Sequence, residues 1–78
     1  LPQLHSVEIK EYFSICNNSI ANLSLRNFDV DIQYIRRPNM LENIEPRPDI
    51  VLSAGDILVI IGTQENLNLF EKYTINGE

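Results

Sequence analysis

Hydrophobic and polar residues alternate along this chain with two different periods, and the switches between them divide it into elements. From Leu4 to Ile15, Val7, Ile9 and Glu11 alternate with Glu8, Lys10 and Tyr12, the two-residue period of a half-buried strand. Cys16-Asn17-Asn18-Ser19 is a turn cluster, and Ser19 stands where it would cap a helix of about two turns that begins at Ile20, with Ile20 and Leu23 on one face. Phe28-Asp29 reads as a turn. Val30, Ile32 and Tyr34 then alternate with Asp31, Gln33 and Ile35 until Pro38 removes a backbone donor, which predicts a second strand with Arg36 and Arg37 at its end.

Asn39 to Ile44 is expected to turn and return as a short strand, and Pro46 to Asp49 to connect across the surface, since prolines hold their neighbours extended. Ser53-Ala54-Gly55-Asp56 is a tight-turn signal. Ile57 to Ile61 behind it is short, continuous and largely β-branched, the pattern of a strand buried on both faces. After Gly62, Thr63 is positioned to cap a helix running to about Tyr73, with Leu67, Phe70 and marginally Leu69 turned toward the sheet. These elements predict an α+β, two-layer domain. It has four to five mostly antiparallel strands, a short helix after strand one and a C-terminal helix packed on the sheet.

Composition narrows what such a domain does. Hydrophobic residues make up 44% of the 78 and charged ones 22%, which is a globular balance, while so short a chain buries only about 60% of its unfolded surface and gains from dimerisation. A formal charge of −5 repels phosphate backbones and anionic lipid, against generic nucleic-acid or membrane-surface binding. Cys16 is the one cysteine, so neither a disulfide nor a Cys-x-x-Cys site forms within the chain. The apolar run Ile57 to Ile61 is far short of the roughly 20 residues of a membrane helix. The chain starts at Leu1 instead of Met, and residues 1–78 are read as a single domain cut from a larger protein.

Three features in order carry a family resemblance: Ile20-Ala21-Asn22-Leu23-Ser24-Leu25-Arg26 ahead of a strand, that strand ending in Ile35-Arg36-Arg37, and Leu52-Ser53-Ala54-Gly55-Asp56-Ile57-Leu58-Val59-Ile60-Ile61-Gly62 ahead of a closing helix. Together they resemble the TrkA C-terminal (RCK-C) domains of potassium channels, potassium uptake systems and cation/proton antiporters. The resemblance implies a non-enzymatic, cytoplasmic regulatory module, usually a homodimer, attached to or associated with a membrane transporter of the bacterial inner membrane. In some members it implies a sensor of cyclic di-AMP at the dimer interface. The positions corresponding to the phosphate contacts of such sensors are Arg26, which keeps the chemistry, and Asp31, which does not. A carboxylate there repels a phosphodiester unless Arg36 or Arg37 offsets it. Asn18 stands in place of the usual glycine of the first turn, as asparagine tolerates a left-handed backbone.

The candidate chemistry is correspondingly sparse. Arg26, Arg36 and Arg37 are the candidate anion contacts, with Arg36-Arg37 read either as a cradle for phosphate or as surface and interface ion pairs. Asp56 is expected to bond backbone amides of its own turn, because one carboxylate is a poor cation site. Glu42, Glu45 and Asp49 lack calcium-loop spacing, and His5 has no second histidine and no nearby nucleophile, so no metal, cofactor or catalytic residue is predicted. Two further readings stand beside the sensor: a purely structural dimerisation module, and the ligand domain of a DNA-binding regulator.

Overall fold

The computed structural model describes residues 1–77. Strand β1 (Gln3–Glu8), helix α1 (Leu25–Phe28), strands β2 (Asp31–Arg36) and β3 (Ile57–Gly62) and helix α2 (Gln64–Asn76) follow in that order. The apolar strand β3 lies at the centre, antiparallel to both neighbours, in the order β1-β3-β2. Among the described residues three strands form, fewer than the four or five expected. The predicted return strand is reduced to one bridge, Ile35 to Ile44, because Pro46 and Pro48 follow at once and withdraw two donors.

Register divides the sheet into two faces. Val7, Leu58 and Ile35 are cross-strand neighbours on one face, and His5, Ile60 and Ile32 share it. Helix α2 packs there against β1 and β3, burying Leu67 and Phe70 completely among these side chains. Burial of each such side chain contributes about 1.5–3 kcal/mol. Phe70 also meets Phe28 edge-on at 5.8 Å, which ties α1 to α2. Leu69, expected at the margin of this face, is 48% exposed, because a residue directly before Phe70 points about 100° away around the helix.

The opposite face carries three rows: Leu4, Ile61 and Asp31; Ser6, Val59 and Tyr34; Glu8, Ile57 and Arg36. Here the reading of β3 as buried on both sides holds at its centre, where Val59 is buried, and gives way toward its ends: Ile57 and Ile61 are only half-buried, and Leu4 beside Ile61 is 65% exposed. Within one chain only the α2 face of the sheet is covered by a helix.

Other expectations shift for local reasons. Strand β1 stops at Glu8, not Ile15: Ile9 still bonds Asp56 and Gly55, after which the chain turns at Lys10 to Phe13 and pairs Ser14 and Ile15 with the end of α2. The two-turn helix from Ile20 splits into one 3-10 turn, Ile20–Asn22, and the four-residue α1, and Ser19 makes no side-chain cap. The amides of Ile20 and Ala21 donate to Ile50 and Pro48, and the Leu52 amide to Asn18, so this backbone is already engaged by the second connector. The left-handed residue of the first turn is Asn17, at φ 69°, and not Asn18, whose side chain donates to the Ser14 carbonyl. Thr63 caps α2 as predicted by accepting from the Asn66 amide, and the helix continues to Asn76, three residues beyond Tyr73, where Gly77 ends it.

Candidate functional site

The three candidate arginines lie in three different settings. Arg37, just past the end of β2, turns inward: its Nε donates to both carboxylate oxygens of Asp56, at 3.2 and 3.3 Å, and its Nη2 donates to the Val51 carbonyl at 2.5 Å. Asp56 is 1% exposed and also accepts the Ser53 amide at 2.9 Å, which closes the turn into β3. The turn-bonding role expected of Asp56 is therefore present. Its ion pair with Arg37 is the part that local sequence does not announce, since the partners are 19 residues apart. With its donors directed at Asp56 and Val51, Arg37 is a clamp holding the β2 end to the β3 turn.

Arg36 precedes it by one residue and points the other way, as strand alternation requires. It is exposed on the open face of the sheet, beside a groove that Arg37, Pro38, Met40 and Leu41 also line. Arg26 is exposed on α1, beside a shallow depression formed with Ala21 and Leu23. Asp31 opens β2 at the other end of the strand from Arg36 and rims a second depression with Asp29, Ile61 and Thr63. Among the described residues none of Arg26, Arg36 and Asp31 takes part in an ion pair. The six residues of β2 separate Asp31 from Arg36 by about 17 Å, and Arg26 and Arg36 line different depressions of the surface.

Other chemistry is limited. His5 Nε2 lies 3.4 Å from Glu71 Oε1 across the sheet–helix seam, with both side chains close to half exposed. Among the described residues no three His, Cys, Asp or Glu side chains cluster as a metal site, and no helix is long and apolar enough to cross a membrane.

An edge-paired three-stranded sheet, a Gly-Asp turn into its central strand and a capped C-terminal helix on one face are thus in place. A family model described as the TrkA-C domain matches residues 4–74. The chain belongs to the TrkA-C domain family. Among solved structures it is similar to the RCK C domain of the potassium transport protein KtrA in complex with cyclic diadenosine monophosphate. That similarity amounts to 34% identity and a TM-score of 0.77, over 91% of this chain and 81% of that one. An RCK domain determined with cda is 25% identical, at a TM-score of 0.74 over 91% of this chain and 96% of that one. The GsuK channel bound to NAD is also 25% identical, at a TM-score of 0.78 over 99% of this TrkA-C chain, which spans only 14% of the channel's length. No curated protein matches the sequence.

Proposed function

We propose that this TrkA-C domain is the cytoplasmic regulatory module of a larger potassium or other cation transport protein, working as a homodimer that binds a cyclic dinucleotide of the cyclic di-AMP type. The observation that carries this reading is the 34% identity, across 91% of the chain, to an RCK C domain in complex with that ligand. The geometry supports a site shared by two copies. Cyclic di-AMP is itself two-fold symmetric with two phosphodiesters, so one exposed, unpaired Arg26 per copy supplies one guanidinium per phosphate. The engagement of Arg37 with Asp56 favours Arg26 over it for this role.

The domain then regulates by differential binding: a ligand held by two copies favours whichever arrangement of the dimer fits it, and the attached transporter reads the arrangement. Isothermal titration with cyclic di-AMP tests this. Saturable binding at one ligand per two chains is expected, weakened about 10- to 100-fold by Arg26→Ala, the loss of a hydrogen bond to a charged group of about 1.5–3 kcal/mol. Absence of binding while the dimer persists refutes the sensor and leaves a structural dimerisation module. The unpaired carboxylate of Asp31 at the predicted phosphate position is the observation that favours that second reading.

A further inference from the structure

We infer that Tyr73, in the last turns of α2, is the positioning residue for Arg26: its hydroxyl and its ring hold the two ends of α1, and with them the guanidinium that meets the ligand. This role deepens the sensor reading and rests on it.

Helix α1 has little of its own to keep it formed. Leu25–Phe28 is a single turn of four residues, far below the roughly 12–15 at which an isolated helix becomes even marginal in water. Among the described residues the Ser24 side chain caps nothing at its start, and Asp29 leaves its end in the left-handed region at φ 53°. The shape of α1 is therefore imposed from outside.

Tyr73 imposes it at both ends. Its hydroxyl oxygen accepts the Ser24 amide at 3.1 Å, a bond between residues 49 apart. That amide is the donor which, in a capping box, a glutamate or glutamine three residues on would satisfy, and Asn27 stands there instead. At the other end the Tyr73 ring lies 4.9 Å from that of Phe28, and Phe70, one turn earlier on α2, meets both rings at 5.8 and 5.9 Å. Between the two grips Arg26 stands exposed, lining its depression with Ala21 and Leu23.

The support under Tyr73 is anchored. The amides of Ser14 and Ile15 donate to the carbonyls of Ile75 and Thr74, Thr74 is fully buried, and the Gly77 amide donates to the Tyr73 carbonyl at 2.7 Å. The end of α2 is thus tied to the first turn of the chain, and α1 is the member free to loosen. Loss of one neutral hydrogen bond shifts the balance between a formed and a loosened turn about 2- to 10-fold. Apparent affinity falls with the fraction formed, and a ligand held by two copies meets that fall twice.

Isothermal titration of the wild type, Tyr73→Phe, Arg26→Ala and the double variant with cyclic di-AMP tests the role, together with amide hydrogen exchange of the unliganded wild type and Tyr73→Phe. The phenylalanine keeps the ring on Phe28 and removes only the acceptor. It should weaken binding about 3- to 10-fold, and exchange from Ser24 to Phe28 should quicken while the β3 amides keep their protection. In the Arg26→Ala background the same substitution should cost less than about twofold, because no guanidinium is left to position. A general loss of stability would act alike in both backgrounds. Equal losses in the two backgrounds, or binding unchanged by Tyr73→Phe, overturn the role and leave the sensor standing. Unchanged exchange from Ser24 to Phe28 overturns the grip itself. A wild type that binds no cyclic di-AMP overturns the sensor, and the role of Tyr73 in it falls with it.

Discussion

Replacing Arg37 with methionine keeps the aliphatic stem over the β3 turn and removes the guanidinium that answers Asp56. The carboxylate is then 1% exposed with only the Ser53 amide as a partner. Removing one member of a fully buried pair costs about 3–5 kcal/mol. Because the Arg37 side chain is 30% exposed, water reaches its side of the pair and the expected cost falls to about 2 kcal/mol. In a domain of this size that lowers the Tm by about 8–16 °C. Asp56→Asn is the informative comparison. Its amide oxygen still accepts from Ser53, and Arg37 keeps Val51 and its access to water, so the cost should be only about 1 kcal/mol. The double variant carries no buried charge and should be more stable than the sum of the single effects predicts, by about 1 kcal/mol. Urea denaturation of the four proteins completes the cycle. Additivity within about 0.5 kcal/mol would show that the two side chains do not act as a pair.

The other stability predictions concern the frame that holds the site. A Cβ at Gly62 would lie 3.0 Å from Val30 Cγ1, and Val30 is buried, so Gly62→Ala should cost about 1–2 kcal/mol by overpacking, seen as a lower urea midpoint at unchanged slope. Thr63→Ala removes the acceptor of the Asn66 amide and should cost about 1 kcal/mol by the same assay, whereas Thr63→Ser should recover most of it.

What the sequence disclosed depended on whether an element is specified by its own residues. Strand β3 and helix α2 were legible because a Gly-Asp turn, an unbroken apolar run, a capping threonine and helical spacing all lie within about 25 residues. The helix predicted from Ile20 breaks at Leu23, whose backbone turns extended at φ −82° and ψ 143°, while the Ile20 and Ala21 amides dock the segment onto Ile50 and Pro48, nearly 30 residues away, and no local pattern reports that docking. The first strand was read too long for a related reason. Ile9 and Ile15 are both fully or almost fully buried, but Ile15 is buried against the end of α2 and not within the sheet. Burial is written in a residue's type; its neighbour is not.

The candidate site follows the same division. Arg36 and Arg37, read either as a cradle or as ion pairs, both line one groove, and Arg37 directs its donors at Asp56 and Val51, a pairing across 19 residues that no local pattern reports, while Arg36 stays exposed on the open face. On the proposed reading Arg26, Asp31 and Arg36, none of which takes part in an ion pair among the described residues, act where two copies meet. That requirement has a thermodynamic consequence. A ligand that binds only the dimer stabilises it by RT ln(1 + [L]/Kd), about 2.7 kcal/mol at a hundred times its dissociation constant, which shifts the association constant about 100-fold. For an interface of standard size such a shift is invisible at cellular concentrations, since the dimer is already complete. For chains that associate only weakly it carries the population from mostly separate to mostly paired, so the proposed sensor needs weak association of its unliganded copies.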